Sequence, residues 1–348
     1  MSGISGDPRV PSAAGDGSGG GEVSRERVLA SFLGNQRQKQ TLIELTNDGR
    51  LCHALLLTGP SGCGKRTFAR LAAAAMLCEG EKKPCGVCRN CRKVLEGVHP
   101  DVITLDCADA EHDGHKLDTL HTRVLDTVAT APNEAARKVY ILANLESMTY
   151  GTPNALLKTL EEPPAHVCFV LTALSRERLL ETILSRVLSI ELEPLPDETV
   201  LSELARRFPD AGPALCRDAA DFAFGCLGEA ASILGDPGRQ ELNRRARAAV
   251  EALASGDEYA LMAVLTLPDR KKDSLRTLLR TIQLTLREGL DAAVSGKGRG
   301  AGAALAGRLP VRTLTASIGL LEEAAFQVDR NVNLNLIAAA LSAAALGR

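Results

Sequence analysis

Residues 53–77, HALLLTGPSGCGKRTFARLAAAAML, constrain this chain more than any other stretch. The apolar run at 54–57 reads as a buried parallel strand, since a strand covered on both faces needs no polar alternation. A turn follows at 59–65, Gly-Pro-Ser-Gly-Cys-Gly-Lys, and an alanine-rich helix begins near Arg66. Strand, glycine-rich turn and helix, in that order, are the setting of a phosphate-binding P-loop. The glycines let backbone N–H groups close around phosphate oxygens, and the helix N-terminus adds partial positive charge. Lys65 supplies a point charge for the outer phosphates.

The loop lacks its metal ligand. A Ser or Thr hydroxyl should follow the lysine and hold Mg²⁺. Arg66 stands there instead, and Thr67 comes one place late. The strand expected at 138–148, KVYILANLESM, shows a second gap. In a hydrolysing P-loop ATPase it ends in acidic residues that organise Mg²⁺ and polarise the attacking water. Ala143 and Asn144 occupy those places, and Glu146 lies two residues too far on. Gly59, Gly64, Lys65, Arg66 and Thr67 therefore mark a degenerate nucleotide site, with ATP bound weakly or not at all.

Cys78, Cys85, Cys88 and Cys91 form two C-x-x-C steps sharing Cys88, with a fourth thiol seven residues upstream. That spacing brings four thiolates within tetrahedral reach of one Zn²⁺, and four sulfurs make a closed, structural site. Bound metal would supply about 10–16 kcal/mol of local folding free energy to a knob too small for its own core. The plain alternative is a cluster of reduced thiols without metal. The remaining six of ten cysteines are scattered and read as packing residues.

The 348 residues allow two or three domains. Aromatic residues are only 3% and Trp is absent, while Ala and Leu dominate, so a mostly helical α/β chain is expected. A net charge of -2 gives no overall attraction to nucleic acid, and DNA contact must come from a local patch or from partner subunits. No apolar run reaches the roughly 18 residues a membrane helix needs. The start has neither a basic nor an apolar leader region, which points to a cytoplasmic protein without membrane contact.

Residues 1–22 read as a disordered tail and 25–51 as helical. A second strand is expected at 99–106 (HPDVITLD), ending in an acidic turn. The polar segment 107–118 carries His112 and His115, readable either as a metal site or as a solvated loop. A helix at 117–128, the third strand, a helix at 154–164 stopped by two prolines, and a fourth strand at 167–172 follow. A helix at 179–186 ends in Ser185-Arg186, and 187–192 gives a fifth strand. Five strands alternating with helices predict a parallel sheet covered on both faces. Pro194 and Pro196 mark a boundary, 197–235 a small helical bundle and 236–238 (DPG) a second hinge. The rest is helical, broken at 295–303 by a mobile surface loop rich in Gly, Lys and Arg.

The order P-loop, four-cysteine insert, HPDV, KVYIL, NALLKTLEEPP, ILSR and NVNLNL resembles the bacterial clamp loader subunits of DNA polymerase III. Over about residues 25–348 it looks most like the delta-prime subunit, with the gamma/tau subunit as close kin. The resemblance implies an AAA+ P-loop domain with a parallel sheet at 23–193, carrying a zinc-binding insert at 78–91. A small helical lid at 194–238 and an all-α collar for oligomerisation at 239–348 complete the expected chain. It also implies gamma/tau and delta partners in a hetero-pentameric ring that places the sliding clamp on primed DNA. The delta-prime subunit typically does not hydrolyse ATP and offers an arginine to its neighbour's nucleotide.

Residue by residue, Cys78, Cys85, Cys88 and Cys91 match the family's zinc ligands. Ser185-Arg186 matches its trans-acting Ser-Arg-Cys motif, with Val187 in place of Cys. Arg186 is thus the expected trans catalytic residue. Its plain alternative is a surface arginine favourable to a helix C-terminus. Ala173 falls where the motor keeps a polar sensor, and Gly228 where its lid arginine would reach the γ-phosphate. The expected protein is therefore a subunit of DNA polymerase III holoenzyme and not an enzyme by itself. The rivals are a gamma/tau-like ATPase motor, another AAA+ protein and a direct DNA-binding module.

Overall fold

The computed structural model describes residues 20–48, 53–108, 120–147, 151–269 and 271–345. Contacts divide the chain into two units, one through Pro194 and one from Leu195.

The first unit is built on five parallel strands: β1 (Ala54–Thr58), β2 (Val102–Asp106), β3 (Lys138–Ala143), β4 (Val167–Ala173) and β5 (Leu188–Glu191). Their order is β2-β3-β4-β1-β5. Every residue of β1, β3 and β4 is buried, which is why they read as unbroken apolar runs. Alternate residues serve opposite layers. Leu55 and Leu57 join Val139, Ile141 and Val170 in one core, while Ala54 and Leu56 join Tyr140, Leu142, Phe169 and Leu171 in the other.

The first core is closed by α1 (Gly20–Ser31), α2 (Gln36–Asn47), α3 (Lys65–Leu77) and α4 (Arg89–Glu96). Ala72, Ala73, Ala74 and Ala75 of α3 have no exposed surface, and their small side chains let the helix lie close to the sheet. The second core takes Leu120, Val124 and Val128, Leu156 and Leu160 of α5 (Gly151–Glu161), and Ile183 of α6 (Glu181–Leu184). This is the expected α/β arrangement with a parallel sheet covered on both faces, followed by a helical second unit.

Several local expectations are corrected. Helix α1 begins at Gly20, so residues 20–22 are helical rather than tail; helix propagation from its buried Val28 and Phe32 end adds a residue at small cost. Strand β2 starts at Val102, because Val102 N donates to His99 O in a local turn, although Asp101 O already accepts from Val139 N of β3 at 2.8 Å. Strand β3 stops at Ala143, where Asn144 turns left-handed at φ 55°. The helix before β3 opens as a π turn, His121–Leu125, and continues through Asp126–Val128. Leu179 and Leu180 are extended, so α6 is a single turn capped by Ser185. Residues 1–19 and 109–119, with His112 and His115, lie outside the described residues.

The second unit is helical: α7 (Asp197–Arg207), α8 (Pro213–Ala223), α9 (Leu227–Gly235), α10 (Pro237–Ser255), α11 (Glu258–Leu265), α12 (Lys272–Ser295), α13 (Gly300–Ala303), α14 (Val311–Asp329) and α15 (Leu334–Ala345). The Asp236-Pro237-Gly238 stretch is a helix start: Asp236 Oδ1 accepts from Gly238 N at 2.8 Å, and Pro237 fills the first helical position. The segment 295–303 packs down instead of forming a mobile loop. Arg299 N donates to Glu288 Oε2 at 2.9 Å, and a Cβ on Gly302 would sit 2.6 Å from Thr285 O. Glycine permits that approach, which composition alone reads as mobility. Among the described residues no helix is long and apolar enough to cross a membrane.

Candidate functional site

Three places carry the candidate chemistry. The first is the loop between β1 and α3, at the carboxyl ends of the strands, where open α/β sheets bind ligands. Gly59, Gly62 and Gly64 take φ of 146°, 77° and 96°. A Cβ on Gly59 would lie 2.7 Å from Leu192 O, and one on Gly64 would lie 2.9 Å from Phe32 Cε2. Phe32 is fixed in turn: Lys39 Nζ donates to Phe32 O at 2.9 Å, and its ring meets Phe68 edge-on with centroids 5.1 Å apart. Burial pulls the Lys39 ammonium below its ordinary pKa.

Lys65 is buried and turned onto its own loop, donating through Nζ to Gly59 O at 2.6 Å and Pro60 O at 2.8 Å. Arg66 forms an ion pair with Asp106, the last residue of β2. The same carboxylate accepts from Asn144 Nδ2 at 2.8 Å and Ala108 N at 3.0 Å, while Asn144 N donates to Thr172 Oγ1 at 3.1 Å. Gly59, Gly64, Lys65 and Arg66 thus meet at one sheet edge, and Thr67 follows them, partly buried, in the first turn of α3. Ala143 and Ala173 are fully buried at the ends of β3 and β4. Magnesium requires oxygen ligands. These residues do not fit it: a guanidinium stands at the hydroxyl position and holds Asp106, and β3 offers an amide in place of its acids.

The second place is the cysteine cluster. The Sγ atoms of Cys78, Cys85, Cys88 and Cys91 lie within 4.8 Å of one another; sulfurs around one Zn²⁺ stand about 3.8 Å apart. Backbone donors already point at them. Gly80 N and Cys85 N each reach Cys78 Sγ at 3.3 Å, Cys88 N reaches Cys85 Sγ at 3.3 Å, and Cys91 N reaches Cys88 Sγ at 3.4 Å. Such bonds favour thiolate over thiol. Cys78 falls to about 5, chiefly through its hydrogen bond from Cys91, whose own thiol the same bond and burial push up. Gly80 is required, because a Cβ there would come within 2.9 Å of Cys85 Cβ. The donor set fits a metal such as zinc.

Sequence reasoning missed how this knob joins the sheet. Asn90 Nδ2 donates to Leu77 O and Glu79 Oε1, each at 3.0 Å, and its Oδ1 meets His99 Nε2 at 3.2 Å. Asp101 N donates to His99 Nδ1 at 3.1 Å, so the His99 proton sits on Nε2. Burial lowers the His99 pKa and keeps the ring neutral. Asp101, fully buried, accepts from Asn133 N, Glu134 N and Ala135 N at 2.5, 2.7 and 2.8 Å. The HPD of HPDV was the available signal.

The third place holds Arg186, at the end of α6 beside the end of α5. Its Nη1 donates to Thr182 O at 2.6 Å and Ser185 Oγ at 2.9 Å, and its Nη2 pairs with Glu161. The guanidinium lines a shallow groove with His53, Leu160 and Val187. Gly228 lies in α9 of the second unit.

A parallel sheet with a glycine-rich loop running from β1, an interior strand, into a helix defines a P-loop α/β domain. Residues 34–196 match the family model described as DNA polymerase III, delta subunit. Just under half of the chain is thus similar to that family. Over 182 residues it is 37% identical to the DNA polymerase III subunit tau of Salmonella typhimurium, covering 52% of this chain and 28% of that protein. Over 192 residues it is 33% identical to the subunit gamma of Buchnera aphidicola, covering 53% of this chain and 52% of the relative. The chain thus spans about half or less of the length of these relatives. A DNA polymerase III gamma subunit-related protein from Thermotoga maritima aligns with 88% of this chain and 99% of its own, at 17% identity and a TM-score of 0.46.

Proposed function

We propose that this chain is a non-hydrolysing, delta-prime-like subunit of a bacterial clamp loader. It stands in a cytoplasmic ring with gamma/tau and delta subunits and helps place the sliding clamp on primed DNA. It supplies Arg186 in trans to a neighbouring subunit's nucleotide and holds one structural zinc on Cys78, Cys85, Cys88 and Cys91. The family match and the tau and gamma relatives support the clamp loader setting.

The observation that carries the non-hydrolysing reading is the Arg66–Asp106 pair beside Ala143 and Asn144. Hydrolysis needs a carboxylate free to organise Mg²⁺ or orient water. The Asp106 carboxylate at the end of β2 is bound to a guanidinium and an amide. The second reading, a gamma/tau-like motor, is favoured by the names of the relatives.

Steady-state ATP hydrolysis by the purified chain with Mg²⁺ separates the two. No turnover above a Lys65→Ala control supports the stator reading. Turnover that vanishes in that control supports the motor.

A further inference from the structure

The mismatch between this site and magnesium extends to what the site binds. We infer that Arg66 replaces the divalent cation, so that the loop holds nucleoside polyphosphates without metal. The inference rests on reading residues 59–67 as a degenerate nucleotide site, and it goes beyond the loss of hydrolysis.

A magnesium ion in a P-loop sits beside the hydroxyl that follows the lysine, and it neutralises charge on the outer phosphates. Arg66 occupies that chain position at the start of α3. Its guanidinium carries a fixed charge that does not titrate in the working pH range. The pairing with Asp106 anchors the arginine to the end of β2, and Asn144 holds the carboxylate from the neighbouring strand. In the parallel ladder Asp106 lies opposite Ala143, at the level where a motor subunit presents its acids. Helix α3, β2 and β3 therefore cooperate to fix one positive charge beside the loop.

The pair is not fully sealed: the Arg66 side chain is 61% exposed while Asp106 is 13% exposed. One carboxylate can engage only part of a guanidinium's five N–H donors. A phosphate entering the loop competes with Gly59 O and Pro60 O for the Lys65 ammonium and, once it holds that group, meets Arg66 beside it. Two protein cations there repel a third, so added Mg²⁺ gains nothing at the site.

Equilibrium binding of ADP and of ATP to the full chain, by calorimetry in excess EDTA and in millimolar Mg²⁺, tests this. The expected result is a measurable affinity in EDTA that does not rise when Mg²⁺ is added, and that falls for ATP, because the metal complexes the free nucleotide the site prefers. Arg66→Thr, checked for folding by circular dichroism, should bind more weakly in EDTA and recover about tenfold or more when Mg²⁺ is added. Arg66→Lys, which keeps the charge and cannot form the planar fork, should likewise gain no affinity from Mg²⁺.

Wild-type affinity that rises tenfold with Mg²⁺ overturns the inference, as does no measurable binding in either condition. Metal-free binding that persists unchanged in Arg66→Thr also overturns it. None of these results requires turnover. A failure here is therefore distinct from a failure of the non-hydrolysing reading, which ATP hydrolysis by the chain alone would reveal.

Discussion

Arg186 and Glu161, 25 residues apart in the chain, meet as an ion pair where α5 and α6 end. The bond does not bury the arginine, whose side chain keeps 30% of its surface exposed. A further donor pair, to Thr182 O and Ser185 Oγ, holds the same guanidinium. The group proposed to act on a neighbouring subunit is thus pre-aimed by its own chain, which lowers the ordering cost of engaging a ligand.

Replacing Arg186 with Ala should separate function from stability. In a reconstituted loader, ATP turnover at the neighbouring site should fall by about 10³-fold or more, the lower end of the range attributed to arginine fingers. The thermal midpoint of the isolated variant should move little, since exposed ion pairs contribute about 0–1 kcal/mol. Steady-state hydrolysis by the complex, with assembly verified by gel filtration, checks this. Full turnover in an assembled variant complex removes the assignment.

Metal analysis of the purified chain should find about one zinc, because four thiolates close a single tetrahedral site. Cys85→Ser should lose most of it. Hydrogen exchange should then accelerate across 78–97 while β1, β3 and β4 stay protected. Full zinc retention in the variant would mean that the cluster is not the site.

Asp101→Asn tests the joint between knob and sheet. Asp101 burial raises its pKa, but the N–H bonds from Asn133, Ala135 and Glu134 outweigh it, and the net shift is downward from 3.8. A depressed carboxyl stabilises the fold above its unfolded value and loses that contribution as pH falls through its folded value. The variant should therefore be less stable by about 1–3 kcal/mol at pH 7, where donors lose a charged acceptor. The difference from wild type should shrink below about pH 4. Chemical denaturation at pH 7 and pH 3 reads both; an equal gap at the two values contradicts the account.

Gly300 and Gly307 offer a matched pair, with φ of 52° and 84°. A Cβ on Gly300 would meet Asp221 O at 2.1 Å, whereas one on Gly307 would meet nothing within 4 Å. Gly307→Ala should cost only the left-handed backbone penalty, about 1–2 kcal/mol. Gly300→Ala adds a backbone clash and should cost clearly more. Equal denaturation midpoints for the two variants would show that the 295–303 segment is not packed as described.

What could be read in advance was what is local. The strands of the buried sheet announce themselves as apolar runs, and the four cysteines lie close enough in sequence to define a tetrahedral donor set. The loop after β1 likewise displays its own defect, Arg66, within a few residues. What could not be read are bonds between distant segments. Nothing near Asp106 reveals that it will hold Arg66, and nothing near Asp101 reveals three N–H donors 32 to 34 residues later. Residues 179–186 read as one helix because their apolar side chains repeat at helical spacing, whereas Leu179 and Leu180 are extended and of the two only Leu179 packs on the second core. Glycine at 298, 300 and 302 reads as freedom, when each one permits close packing.

The cysteine knob also has an evolutionary reading. Its first ligand closes α3 and its last two open α4, so the whole set travels as a cassette between two helix ends. If the cluster holds a metal, losing one ligand would leave three sulfurs that bind it less tightly and a backbone donor with no thiolate to serve. The partly dismantled forms are the least stable ones, so descent should pass between four ligands and none with few survivors in the middle. A lineage that discards the metal must then hold the α3–α4 turn by other means, and the Asn90–His99 bond already supplies a foothold.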